Sequence, residues 1–362
     1  MADKPAARAV GARLLAAFTA AGAEPVEAQI LLPAGRLLDL YGEDIRARAF
    51  VTLDPTEGEM MLRPDFTLPV VEWHMAGRAT PARYAYLGEV FRQQAPGSTR
   101  PRESLQAGFE LFDAGDPAQA DAEVFALIHA QLAHLNLTVE IGDIGLLIDA
   151  VAGIDTLPAR KAALLRHIWR PRRFAALLDR YAGRAPVPPS RAALLAGQAI
   201  SDAPLTGLRG ADEIAARIAH LHEDAAAPRL PAQVVDDLSR LFALRGPAPQ
   251  ALAALRDLAR ALPAIGRGTD RLAARLDAIA ARGIDPARLT FAASHGRASM
   301  EYYDGFTFTF LDRDPGQPPV ASGGRYDALT RVLGRADGHD GIPAVGGIIR
   351  PAAVARLETA PC

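Results

Sequence analysis

Two runs of strict alternation, RYAYLGEVFR and SLQAGFELF, flank the eleven polar residues QQAPGSTRPRE. Period-two alternation marks extended strands whose two faces meet different surroundings, because successive side chains point to opposite sides. In the first run Tyr84, Tyr86, Val90 and Arg92 share one face, and Ala85, Leu87 and Phe91 the other. In the second, Leu105, Ala107, Phe109 and Leu111 oppose Ser104, Gln106, Gly108, Glu110 and Phe112. The linker holds two prolines and a glycine, so the pair reads as an antiparallel hairpin. One side is apolar and can cover a core. The other carries Arg92, Gln106 and Glu110 and must meet water or a polar ligand.

Around this hairpin the pattern is mixed. Residues 6–21 have the spacing of an amphipathic helix, and RARAFVTLD reads as a strand. In MMLRPDFTLPVVEWHMAG two prolines bracket a turn before a helix. DAEVFALIHAQLAHLNL is helical by the spacing of Val124, Phe125, Ile128, Leu132 and Leu135, with Asp121 and Glu123 at its favourable N-terminal end. TVEIGDIGLL then reads as a strand. From 151 to 285 the chain is rich in Ala, Leu and Arg and its signals are helical, while strand signals return at LTFAAS, MEYYDGFTFTFL and PPVASGGRYDAL. The layout is α+β: a mostly antiparallel sheet flanked by helices, in segments 1–150 and 286–362, with an inserted helical region at 151–285.

Composition removes several function classes. A net charge of -2 gives no global electrostatic reason for nucleic acid as the main partner. The single cysteine, Cys362, excludes an intramolecular disulfide and a thiolate zinc site. No secretory signal and no stretch of eighteen apolar residues is visible; the most apolar region is interrupted by Glu140 and Asp143. A cytoplasmic location is the default. The histidines are scattered, His220 and His222 diverge on a helix, and no metal-ligand spacing, Walker A loop or dinucleotide fingerprint occurs. No metal and no cofactor is expected.

Several polar positions could carry chemistry. Gln106 and Glu110 lie on one strand face about 13–14 Å apart; they could read two ends of a small polar ligand or simply face water. Asp65 and Thr67 could point into a site or cap the helix that follows. Arg100 and Arg102 sit on the hairpin loop, where they could clamp phosphates or be solvated. ASGGRYDAL offers two glycines before Arg325, Tyr326 and Asp327, and IPAVGGIIRPAAV ends an apolar strand at Arg350. In HGRASMEYYDGFTFTF, Tyr302, Phe306, Phe308 and Phe310 fall on one face and Tyr303, Gly305, Thr307 and Thr309 on the other, with Gly305 leaving room beside Tyr303.

Taken in order along the chain, these segments resemble the catalytic core of histidyl-tRNA synthetase, a class II synthetase fold. MMLRPDFT resembles the family's Arg-Pro-Glu-Gly-Thr segment, the hairpin its motif 2, and MEYYDGF its histidine-reading segment. ASGGRYDAL and AVGGIIR resemble its Gly-Gly-Gly-Arg-Tyr-Asp segment and motif 3. The resemblance implies that Asp65, Thr67 and Gln106 hold the α-amino group of histidine. Glu110 and the tyrosine pair Tyr302 and Tyr303 would read the imidazole, while Arg92, Arg100 and Arg350 match nucleotide-binding arginines.

Departures from the family redirect the function. Ala298 stands where the family has the arginine that contacts the carboxylate being activated, and Arg297 is one residue off, on the opposite face of a strand. Gln94 replaces a glutamate that contacts ATP, and the anticodon-binding domain is expected to be absent. With its histidine-reading residues kept, the chain resembles the regulatory subunits of ATP phosphoribosyltransferase, the first enzyme of histidine biosynthesis. That resemblance implies a non-catalytic subunit, self-associating through its core as a dimer. Its partner would be a short catalytic subunit in a hetero-octamer, and it would be required for activity and for feedback by L-histidine. The alternative is an enzyme, a synthetase paralogue that forms histidyl-adenylate. A nucleic-acid or scaffold module is disfavoured by the charge balance.

Overall fold

The computed structural model describes residues 4–35, 49–77, 79–95, 97–98, 100–198, 207, 210–296, 302–336 and 340–359. Its strands are β1 Glu24–Pro25, β2 Leu31–Pro33, β3 Val51–Asp54, β4 Gly58–Leu62, β5 Ala82–Phe91, β6 Glu103–Phe112, β7 Thr138–Asp143, β8 Arg245–Pro247, β9 Thr290–Ala292, β10 Phe306–Leu311, β11 Ala321–Arg325 and β12 Ala344–Ile349. Nine of them form one sheet in the order β1-β5-β6-β12-β11-β10-β7-β9-β8, and β2-β4-β3 form a second. Only β1 with β5 and β7 with β9 run parallel, so the large sheet is mostly antiparallel. The alternating hairpin is β5 and β6, paired from Ala82 opposite Phe112 to Phe91 opposite Glu103.

Each face of the sheet follows the sequence alternation. Ala107, Phe109 and Leu111 join Ile141, Phe306, Phe308, Phe310, Val345 and Ile349 in the main core. Helices Lys4–Ala20, Pro117–Leu132, Gly266–Ala280 and Pro351–Thr359 contribute buried residues to that core. Phe125 stacks on Phe310 at 5.7 Å and meets Phe308 edge-on at 5.5 Å, the favoured aromatic geometries. On the opposite face Tyr84, Tyr86, Phe112, Tyr303 and Tyr326 gather under helix Thr67–Met75.

Three local readings change, each for a side-chain reason. The TVEIGDIGLL strand ends at Asp143, because the Asp143 carboxylate accepts from Gly145 N at 2.9 Å and caps a helix over Ile144–Ala152. The helix read from Asp121 starts at Pro117, with Asp116 accepting from Ala118 N at 2.8 Å. Asp121 is therefore buried one turn inside rather than at the end. Residues 302–305 precede the strand, so the period of β10 does not reach Tyr302, which lies with Tyr303 on the polar side.

Between Ile144 and Ala280 the regular elements of the described residues are helices, apart from the edge strand β8. Helix Gly266–Ala280 returns to the body of the fold through one buried ionic group. Arg275 donates to Asp121 at 2.8 Å and to Asp143 at 2.9 Å, and Arg325 donates to Asp121 at 2.9 Å and to Asp327 at 3.0 Å. Burial pulls the Arg275 pKa down, but Asp121 and Asp143 more than offset it and the net direction is up. Among the described residues no helix is long and apolar enough to cross a membrane, and no cluster of histidine, cysteine or carboxylate side chains could hold a metal.

Candidate functional site

The polar side of the hairpin closes around Glu110. This carboxylate is 1% exposed. One oxygen accepts from Tyr86 Oη at 2.9 Å and Thr67 Oγ1 at 3.2 Å, the other from Tyr326 Oη at 2.6 Å. Space for it comes from the neighbouring strand, where Gly346 pairs with Glu110. A Cβ at Gly346 would lie 1.4 Å from Glu110 Oε2, so only glycine fits. Burial drives the Glu110 pKa up to about 7, against the three hydroxyl donors that lower it, with nearby Asp65 adding to the rise.

Asp65 and Thr67 enter from the start of helix Thr67–Met75. Asp65 does serve the helix: Oδ1 lies 3.5 Å from Leu68 N, a long capping contact. Its Oδ2 is buried and, among the described residues, without a hydrogen-bond partner; the same holds for Gln106 Oε1. Such orphans are rare, because a buried acceptor left unmade costs about 1–3 kcal/mol. Asp65, at the start of the covering helix, and Gln106, on the polar face of β6, each keep an acceptor that a donor-rich group can use. Burial raises the Asp65 carboxyl, opposed by Arg92 and the Leu68 and Thr67 backbone.

Tyr302 and Tyr303 meet edge-on at 4.7 Å, and Tyr302 Oη donates to Thr67 Oγ1 at 3.4 Å. Tyr303 is buried, and burial pushes its phenol well up, against a hydrogen bond with Tyr302. Gly305 does not make room for Tyr303. A Cβ there would touch Arg325 at 3.2–3.4 Å, whereas one at Gly324 would come 2.8 Å from the Tyr303 ring, so the β11 glycine seats the tyrosine.

The cations lie beside these groups. Arg92 Nε donates to Pro64 O at 2.8 Å, which ties the end of β5 to the residue before Asp65. Arg350 donates to Pro319 O at 2.7 Å. Burial lowers the Arg350 pKa to about 10, and the charges of Arg92 and Arg100 push the same way while Tyr303 opposes. Guanidinium groups that repel one another in a half-buried place suit an anion. Arg100 itself is exposed on the hairpin loop. Gln94 turns its amide nitrogen to Pro101 O at 3.3 Å and braces that loop.

Thus Asp65, Thr67, Gln106, Glu110, Tyr302 and Tyr303 share one face of the sheet and its cover. Arg92 and Arg350 adjoin them, and Arg100 reaches them only by its field. Arg297 and Ala298 lie outside the described residues. Two ligands of Glu110 escaped sequence reasoning as such. Tyr86 stood on the correct face and Tyr326 followed the glycine pair, but nothing in spacing says that both hydroxyls converge on one carboxylate.

The raised Glu110 pKa has a consequence for stability. A carboxyl whose folded pKa lies above its ordinary 4.5 contributes stability that is complete below that value and lost as pH rises through about 7. Asp65 acts in the same direction. The unliganded chain is expected to lose on the order of 3 kcal/mol between pH 4.5 and 8 from Glu110 alone. Urea midpoints measured across that range should flatten in Glu110→Gln; an unchanged slope would refute the assignment.

Comparison with known proteins gives the family of the chain. A family model described as histidyl-tRNA synthetase matches residues 2–223 and 214–354. The chain is 34% identical to the ATP phosphoribosyltransferase regulatory subunit of Mesorhizobium japonicum, covering 93% of this chain and 94% of that relative. It is 35% identical to that of Brucella ovis over 90% of each. A crystal structure of an ATP phosphoribosyltransferase regulatory subunit/histidyl-tRNA synthetase from Bacillus halodurans superposes with a TM-score of 0.68 at 22% identity, covering 99% of this chain and 80% of that one. Histidyl-tRNA synthetase from Nostoc sp. PCC 7120 gives 0.65 at 16% identity, covering 99% and 72%. These two structures speak to the fold alone: it is the class II synthetase-like α+β core. The identity to the first two relatives, sustained over nearly the whole chain, establishes that this protein belongs to the family of ATP phosphoribosyltransferase regulatory subunits, a histidyl-tRNA synthetase-like lineage.

Proposed function

We propose that the chain is a non-catalytic, cytoplasmic subunit that binds L-histidine at the Glu110 site and regulates a short catalytic ATP phosphoribosyltransferase chain. Asp65 Oδ2 and Gln106 Oε1, which have no hydrogen-bond partner among the described residues, carry this reading. An α-ammonium has three donors and no acceptor, which is what two buried acceptors lack. At the other end, Glu110 and the Tyr303 phenol offer an acceptor and a donor for the two ring nitrogens of an imidazole. The segment 1–150 and the segment 286–362 supply this site, with 151–285 as a helical insertion. The chain dimerises through its core and joins the catalytic chain in a hetero-octamer.

Feedback requires that histidine bind a less active state of the complex more tightly than the active one, since equal affinity shifts no equilibrium. Calorimetry with L-histidine should show a saturable site in the purified chain. Glu110→Ala should weaken it about a hundredfold, by removing a hydrogen bond to an ionised acceptor, and Tyr303→Phe about tenfold. Unchanged affinity in both variants would remove the site assignment. The catalytic chain, assayed with and without this protein, should need it for full activity and lose histidine inhibition with Glu110→Ala.

Arg92 and Arg350 favour one second reading, formation of histidyl-adenylate, because they keep a cationic place beside the histidine site. Histidine-dependent exchange of pyrophosphate into ATP by the purified chain would decide for it. The proposed regulatory role predicts none above background.

A further inference from the structure

The sheet face that carries Glu110 continues past the site. Register places Gly346 beside Glu110, Gly324 beside Gly346, Thr307 beside Gly324 and Gly142 beside Thr307. On the same face Glu140 adjoins Thr309 and Thr290, and Arg245 adjoins Ala292. His295 lies across β10 and divides this face: one ring nitrogen is 2.8 Å from Thr307 Oγ1, the other 2.9 Å from Thr309 Oγ1. Beyond it opens a cleft of about 710 Å3, floored by Glu140, Arg245 and Ala292 and walled by helices Pro171–Tyr181 and Ala232–Ala243.

We infer that this second cleft binds a zwitterionic α-amino acid with an apolar side chain. Its walls are apolar: Phe174, Leu178 and Phe242 face it, with the two phenylalanine rings 4.6 Å apart. Its charges cancel. The Arg245 guanidinium grips both oxygens of Glu140, at 3.1 Å for one of the two contacts. His295, held by two hydroxyls and kept neutral by burial, which lowers its pKa to about 4, adds none. Among the described residues no lining cation lacks a carboxylate, which favours a ligand of balanced charge over a polyphosphate. A zwitterion does fit a matched pair. Arg245 has five N–H donors and spends two on Glu140, leaving others for a ligand carboxylate. Glu140 keeps lone pairs for an ammonium, and the aliphatic or aromatic remainder lies among the two phenylalanines and Leu178. Concave, mostly apolar cavities with a few convergent polar groups are the usual form of small-molecule sites. The cleft is separate from the Glu110 site, and the inference stands independently of how that site is read.

Calorimetry on the whole chain carrying Glu110→Ala, which weakens the first site, tests it. L-leucine and L-phenylalanine should each bind saturably, and 4-methylpentanoate, which keeps the carboxylate but lacks the ammonium, should not. Arg245→Met should weaken the amino acids about tenfold or more, the effect of one charge-assisted hydrogen bond. Ala175→Trp fills the cleft from an exposed position and should abolish binding without disturbing the core, which keeps the test decisive if Arg245→Met folds poorly. Absence of saturable binding by both amino acids overturns the inference. So does equal binding of 4-methylpentanoate, or binding that survives Ala175→Trp.

Discussion

Arg275→Met is expected to lower the stability of the chain by about 3–5 kcal/mol, the loss that follows when one partner of a buried ionic group is removed. Arg275 is 3% exposed and spans Asp121 and Asp143, both at most 1% exposed. Asp121 would keep Arg325, but Asp143 Oδ2 would be left as a buried charge with no cation in contact among the described residues. The double variant Arg275→Met/Asp143→Asn should recover a large part of the loss, because the amide oxygen can still cap Gly145 N while the charge is gone. Urea denaturation of the two variants measures this directly. A single variant within about 1 kcal/mol of the parent would mean that the group is solvated in the folded protein.

Gly346→Ala is expected to abolish histidine binding and to lower stability by about 1–3 kcal/mol, the usual cost of overpacking. The added methyl would coincide with Glu110 Oε2. Glu110 cannot move aside cheaply, since Tyr86, Thr67 and Tyr326 hold it from both oxygens and any shift leaves buried hydroxyls unpaired. The double variant Gly346→Ala/Glu110→Ala has room for the methyl. It should therefore lose less stability than the two single variants together, without regaining affinity, a coupling that independent sites would not show. Full histidine affinity in Gly346→Ala would place the ligand elsewhere.

Much of the fold was legible because strand alternation is a local property. The β5–β6 hairpin and the Phe306, Phe308, Phe310 face of β10 could be read directly. Errors came where a single side chain overrode the pattern, as when Asp143 turned an apolar run from strand to helix. The polar site was half legible. Gln106 and Glu110 announced themselves as polar residues on an otherwise core-forming hairpin, and the resemblance supplied Asp65, Thr67 and Tyr303. The buried ionic group was not legible at all. Its members, Asp121, Asp143, Arg275, Arg325 and Asp327, are ordinary surface residue types spread over the chain, and only tertiary packing brings them together.

The order of strands in the large sheet also bears on how the chain reaches its native state. β6 pairs on one side with its hairpin partner β5 and on the other with β12, so that Ala107 lies opposite Ile349. The hairpin can close early, but the floor under Glu110 is completed only when β12 docks. Such distant pairing makes folding slow relative to helical proteins of equal stability, because loop-closure entropy is lost before the contacts form. Until then β6 presents an unpaired backbone edge, the kind of surface that chaperones shield during synthesis. Refolding from urea should accordingly regain the far-ultraviolet signal of the helices well before it regains ligand binding.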